Sequence, residues 1–312
     1  MTKNLAILNI LCLPLIAAVN YTYDATGRLV KIDYGNGSTI TYTYDKAGNV
    51  LSKSIQAPSG PAITSVSTAS APSASGISQN TWTVIKGNNL VPANTPASGV
   101  IWSSAPSFQQ GLLPTQLNGI SATFNGKPSY IYFYCSAATD PACPQDQINV
   151  LTPLDSTTGG IPVTVSNGSA TTPAFAVTEY ALVPALFNYD GSHVVATHLD
   201  GSRVGPPGLI AGVSFTPASP GEQVVVYATG FGLPTTTLTP GSSSQSGPLP
   251  TLPACYIGTA TNTATLAFAG LVSPGLIQMN INIPNNTPSG DQPIVCTYGG
   301  ANTPPGNVLT IQ

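Results

Sequence analysis

A two-residue hydrophobic period recurs from one end of this chain to the other. In the run from Gly275 to Ile283, Ile277, Met279, Ile281 and Ile283 alternate with Gln278, Asn280 and Asn282, which gives a strand one core face and one wet face. Residues 21 to 54 show the same period, with Ile40, Tyr42 and Tyr44 pointing one way and Thr39, Thr41 and Thr43 the other. No helical window of comparable length occurs. Composition gives the reason. Charged residues are 6% of the chain against about 25% in an average globular domain, and helices on a solvated surface need Lys, Glu and Arg. With 31 Gly and 30 Pro, the residues predict an all-β chain of strands joined by tight turns.

The 312 residues suit two sandwich domains of about 110 to 130 residues and a small N-terminal element. Net charge is −3 and the eight Lys and Arg do not cluster. A phosphate backbone would find no basic patch, so nucleic acid is excluded as a partner. The abundance of Val, Ile and Tyr at low charge also argues against disorder.

Residues 21–29, YTYDATGRL, return at 42–50 as YTYDKAGNV. Tyr23, Asp24 and Gly27 thereby find counterparts in Tyr44, Asp45 and Gly48. Gly35, Asn36 and Gly37 between the copies accept positive φ cheaply, and the segment 21–54 is expected to be an antiparallel hairpin. Tyr23, Asp24, Gly27, Arg28 and Leu29 resemble the tyrosine-aspartate (YD, Rhs-type) repeat YDxxGRL. The second copy departs from it, with Asn49 and Val50 in place of Arg and Leu. In that family long arrays wind into hollow β-shells. Two copies enclose nothing, so the resemblance implies the hairpin and not the shell; an alternative is that the chain is a fragment of a longer Rhs-type protein.

Residues 1–20 carry Lys3 and then an apolar run from Leu5 to Val19, too short for a comfortable membrane span and shaped like a secretory leader. An uncleaved anchor is the competing reading, because Val19 and Asn20 end the run without a clean small-residue site. Cys12 lacks the small residues that precede a lipidated cysteine. Removal of the leader leaves Cys135, Cys143, Cys255 and Cys296, an even number that fits an oxidising compartment. Pairing by proximity joins Cys135 to Cys143 and Cys255 to Cys296, worth roughly 2.5 and 4 kcal/mol by loop closure. Zinc is the alternative for four cysteines, but no C-x-x-C pair is present.

Residues 55–63, IQAPSGPAI, read as a linker. Beyond them short strand-like runs recur at 82–86, 120–125, 129–135, 147–151, 161–166, 223–229 and 275–283, the spacing of immunoglobulin-like sandwiches. The segments KGNNL, PTQLNGISATFNGKPSYIYF, DQINVLTP, GIPVTVSNG, PALFNYDGS, SPGEQVVVYATGFG, FAGLVSPGLIQMNINIP and NTPSGDQPIVCTYGG resemble, in that order, the C-terminal module of secreted acidobacterial proteins related to TIG/IPT domains. The resemblance implies two tandem immunoglobulin-like β-sandwich domains, at 64–180 and 181–312, with no assigned catalytic residues. The insertion between Cys135 and Cys143 departs from it.

Candidate chemistry is sparse. His193 and His198 lie in NYDGSHVVATHLDGSRVG with Asp190 and Asp200, where two Asp-Gly-Ser turns would bracket a strand HVVATHL. Positions five apart in a strand face opposite sides and do not readily share one metal ion. A calcium ion held through Asp190 or Asp200 stays open as an alternative. There is no GxSxG elbow, no HExxH and no phosphate loop, since Pro128 follows Gly126 and Lys127. The segment GSSSQSG at 241–247 reads as a flexible loop. Trp82 and Trp102 with Tyr130, Tyr132 and Tyr134 are the candidate binding surface; aromatics on strands are otherwise core residues. The expectation is an extracellular or cell-surface bacterial protein without cofactor, catalytic residue or metal. It would serve in adhesion or surface assembly by touching protein, glycan or a second copy of itself through loops and sheet edges, with no membrane span once the leader is gone. The alternative is a carbohydrate-binding module accessory to a secreted enzyme.

Overall fold

The computed structural model describes residues 19–34, 38–56, 60–70 and 76–312. The leader up to residue 18 with Cys12, the turn Gly35, Asn36 and Gly37, and residues 57–59 of the linker lie outside the described residues. What is described is an all-β protein. Its one α-helix among the described residues is the four-residue Pro106–Gln109.

The repeat segment forms four antiparallel strands, Asn20–Tyr23, Leu29–Asp33, Thr39–Tyr44 and Val50–Gln56, paired in chain order. The single hairpin expected over 21–54 is therefore corrected to a four-stranded meander, because each copy of the motif turns the chain by itself. Asp24 Oδ1 accepts from the backbone N–H groups of Thr26 and Arg28 at 2.9 Å. Gly27 closes that turn at φ +80°, where a side chain would be strained. The Arg28 N–H and the Thr26 hydroxyl hold the Asp24 carboxyl well below the usual carboxylate range. Arg28 Nε donates to Asp24 Oδ2 at 2.7 Å, and its guanidinium lies 4.8 Å from the centre of the Tyr44 ring in the second copy. Tyr44 donates in return to the carbonyl of Leu29 at 2.7 Å. Asn49 keeps the intracopy bond to Asp45 with its amide but makes no such crossing.

Two sheets face each other next. One runs Ala62–Thr68, Trp82–Asn88, Asp146–Leu151, Tyr130–Cys135, Val100–Ile101; the other runs Lys127–Pro128, Ile120–Phe124, Gly159–Ser166, Phe175–Glu179. Ile85, Ile131, Ile148 and Val150 from the first meet Ile120, Phe124, Ile161, Val163 and Val165 from the second in one core. Asn125 and Gly126, at φ 51° and 74°, are the two loop residues of a hairpin and satisfy its left-handed positions. The buried carboxylate of Asp146 accepts from the N–H groups of Leu90 and Ala137 at 3.0 Å and from Ser136 Oγ at 3.1 Å. It ties two loops to one strand end, beside the Cys135–Cys143 disulfide.

The remaining strands belong to one ten-stranded sheet that curls over its own core. Thr263–Ser273 is the strand that changes layers: Ala264 pairs with Cys255, while Thr265 onward pairs with Leu276–Asn282. Cys255 and Cys296 sit directly opposite each other on neighbouring strands and are bonded. Ile277, Met279, Ile281 and Ile283 are all buried here.

Hydrogen bonds at two places join this curled sheet to the preceding sandwich, at Trp82 and at residues 241–243. Trp82 N donates to Thr229 Oγ1 at 3.2 Å, and that hydroxyl donates to the carbonyl of Gly275 at 2.8 Å. The segment 241–247, expected as a flexible loop, is instead clasped by backbone bonds: Leu113 N to Gly241 O at 2.7 Å and Ser243 N to Gly111 O at 2.9 Å. Serine-rich composition lowers local preference, and the facing loop at 111–113, bridged through Leu112 and Ser242, supplies the order. Gly275, with Pro274, turns the hairpin that reaches Trp82. Its φ is +67°, and a Cβ there would stand 2.5 Å from Leu151 Cδ1 and 3.0 Å from Trp82 Nε1. Gly275→Ala is expected to cost about 1–3 kcal/mol, read as a lowered thermal midpoint; an unchanged midpoint would show that the junction tolerates a methyl group.

Candidate functional site

The aromatic residues gather at that junction. Trp82 opens its strand, Trp102 sits on the short 3₁₀ turn Trp102–Ser104, and Phe108 comes from the Pro106–Gln109 helix. Tyr132 arrives through a β-bulge: pairing shifts between Ile131 and Phe133, so the tyrosine is the extra residue. The three rings of Trp82, Trp102 and Tyr132 meet edge to face at centroid distances of 5.5 Å, 5.2 Å and 4.9 Å. Phe108 stacks on Trp102 at 5.1 Å. Such pairs contribute about 0.5–1.5 kcal/mol each beyond area burial, which fixes the rings as a rigid corner.

This corner is one wall of a cleft of about 280 Å³. Asn149 and Val84 form its floor, and Phe187 with the turn Ser273, Pro274 and Leu276 closes it from the curled sheet. Apolar walls with a few polar groups are the general character of small-molecule sites. Gln147 Nε2 donates to Asn149 Oδ1 at 2.8 Å, leaving the amide hydrogens of Asn149 as donors without a protein partner among the described residues.

The five expected aromatic residues are not brought together. The bulge breaks the alternation that would have put Tyr130, Tyr132 and Tyr134 on one face. Tyr134 is only 2% exposed and belongs to the core. Tyr130 lies at the opposite end, against Gly241. Phe108 and Phe187 were not singled out from the sequence, and no local pattern marks them.

The histidines occupy two separate clasps. His193 Nδ1 lies 2.7 Å from Asp190 Oδ2 and its Nε2 lies 3.2 Å from Asp291 Oδ2. His198 Nδ1 pairs with Glu222, and its Nε2 lies 2.9 Å from Thr216 Oγ1. The expected strand HVVATHL is corrected to the two residues Ala196–Thr197. Both Asp-Gly-Ser turns take up much of the segment: Asp190 Oδ1 accepts from the N–H groups of Ser192 and His193, and Asp200 Oδ1 from that of Ser202. Among the described residues, no three of His, Cys, Asp and Glu gather as a metal-binding set, and no helix is long and apolar enough to cross a membrane.

Residues 21–62 match the RHS Repeat family model. No curated protein matches the sequence. Among solved structures the chain is similar to SGBP-B of the Bacteroides ovatus mixed-linkage glucan utilization locus, in complex with a mixed-linkage heptasaccharide. That likeness has a TM-score of 0.34 and 8% identity, over 95% of this chain and 63% of that one. For SGBP-B from a complex xyloglucan utilization locus in Bacteroides uniformis the TM-score is 0.23 and the identity 14%, over 79% of this chain and 49% of that one. For domains 4–9 of the surface layer protein SbsC they are 0.22 and 7%, over 95% and 46%. The chain thus spans less than two thirds of the length of each.

Burial disfavours the charged form of His193, but its hydrogen bonds to Asp190 and Asp291 and the charges of those carboxylates outweigh it and raise its pKa above the ordinary value. A raised folded-state pKa stabilises below the unfolded value of about 6.5 and is lost as pH rises through the folded one. Glu179, pushed up to about 7 by burial and by the charge of Asp155, adds to the same trend from the acidic side. The thermal midpoint is expected to fall from about pH 6 to about pH 8. His193→Gln should flatten the curve in that window, and a parallel curve for the variant would refute the clasp.

Proposed function

We propose that this chain is an extracellular binding module, and that the cleft of Trp82, Trp102 and Tyr132 holds a glycan. The observation that carries the reading is the ring corner itself: three aromatic side chains fixed edge to face, half-exposed, beside an amide with free donors. Sugar rings present an apolar face and a rim of hydroxyls, and such a corner answers both. Two disulfides suit an oxidising, exported setting. The finer reading is of two tandem TIG/IPT-type sandwiches at 64–180 and 181–312 behind a cleaved leader, acting in adhesion at a bacterial surface. No bond chemistry is assigned. Each ring nitrogen of both histidines has a protein partner.

Both tryptophans of the chain line the cleft, so intrinsic fluorescence reports on it directly. Oligosaccharides drawn from plant and bacterial polysaccharides are expected to shift the emission of the exported chain. Trp102→Ala should weaken binding by about tenfold, a ring contact being worth roughly 0.5–1.5 kcal/mol beyond the area it buries. Absence of any shift across the panel would defeat the reading.

A second reading, self-assembly, has its own observation. Cross-strand rows put Tyr21, Ile32, Ile40 and Ile55 on one face of the meander and Thr22, Lys31, Thr41 and Ser54 on the other. No described residue of these four strands is buried. Among the described residues the apolar face is uncovered and the two edge strands have no outer partner, which favours pairing with another sheet. Light scattering of the exported chain should give a mass above the monomer that returns to the monomer when residues 20–56 are deleted. Equal monomeric masses would remove the idea.

A further inference from the structure

The cleft does not end at its aromatic wall. Along the Trp82–Asn88 strand, Thr83, Ile85 and Gly87 are buried, while Trp82, Val84 and Lys86 are half-buried on the outer face. Val84 lines both the aromatic cleft and a second hollow of about 350 Å³, which continues over Lys86, Gln147 and Ser67. Pairing makes one floor of the two: Asn149 and Ser67 lie opposite Val84, and Gln147 lies opposite Lys86. One segment of the curled sheet roofs both, Phe187 over the first hollow and Asn188 with Gly191 over the second. Strand rise separates the backbones of Trp82 and Lys86 by about 13 Å, so a chain occupying both hollows meets ring and cation at different residues.

The two ends differ in charge. No Asp or Glu lines either hollow, and Lys86 is the one cation there. Lys127, by contrast, pairs with Asp155 at 2.9 Å, whereas Lys86 Nζ has no acceptor among the described residues. A half-buried ammonium without a counter-ion favours an anion brought by the ligand. The carboxylate of Asp190, on the loop that carries Gly191, is already engaged by His193 and by its own turn.

We infer that the occupant is an anionic glycan, with one ring against the aromatic corner and a carboxylate or sulfate of a following residue at Lys86 and Gln147. This rests on the glycan reading of the cleft and deepens it. Tryptophan fluorescence of the full exported chain would compare an oligogalacturonate, its methyl ester and a sulfated oligosaccharide of similar length. One of the two anions is expected to bind about tenfold more tightly than the neutral ester at low salt. That preference should shrink with added salt and vanish in Lys86→Met, which keeps the apolar stem. The residual affinity of Lys86→Met should equal that of wild type for the ester. Trp102→Ala should lose ester and anion alike. Equal binding of ester and anions by wild type, or a preference that survives Lys86→Met, would overturn the inference and leave the glycan reading standing. Failure of all three ligands to bind wild type would overturn both.

Discussion

The junction at Trp82 is the contact on which the geometry of the cleft depends. A single hydroxyl, Thr229 Oγ1, accepts from Trp82 N and donates to Gly275 O, so it couples the start of an interior strand of one sheet to the hairpin of another. Gly275 lets that hairpin approach because nothing projects from its Cα toward Leu151 and the indole. With the hairpin seated, the outer face of the Trp82–Asn88 strand becomes the floor of a groove instead of an open sheet surface. The pairing of Ser243 with Gly111 and of Leu113 with Gly241 joins the two parts at a separate place, beside Tyr130. Neither partner builds the groove alone.

Charge is scarce in this chain, and most of its carboxylates accept backbone N–H groups at turns and loops. Asp24, Asp45, Asp190 and Asp200 each accept backbone N–H groups of the loop that follows them. Asp146 does the same for two loops inside the sandwich. Burial works against ionising Asp155, yet Lys127, Thr157 and Asn125 hold its carboxyl well below the usual carboxylate range. Where carboxylates close loops, they are not available to face a ligand. A lone ammonium left over in a groove therefore stands out by the chemistry of its surroundings, although the protein as a whole carries a small negative charge.

Strand positions were legible because burial on one face imposes a period of two, as Ile120–Phe124 and Leu276–Asn282 show; Gln223–Thr229 departs from it, with Val224, Val225 and Val226 all buried. Turn chemistry was legible for Asn125 and Gly126, whose positive φ values match residue types that tolerate them. Three features were not legible. The bulge at Tyr132 inserts a residue without a local signal, since any of Tyr130 to Cys135 has strand preference. The clasp at 241–247 owes its order to a distant backbone. The strand expected at 193–199 yielded to Asp-Gly-Ser turns whose hydrogen bonds compete with the ladder.

The amino-acid sequence by itself determined the all-β class, the paired YD turns and the strand faces, because these follow from neighbouring residues and from a two-residue period that needs no partner. It also supplied the aromatic residues of the groove. Tertiary structure alone decided which of them meet. Trp82, Trp102 and Tyr132 come from separate elements, and Phe187 from beyond the sandwich. Their convergence depends on a bulge, a missing Cβ and a shared hydroxyl, interactions that exist only after distant segments have been packed together.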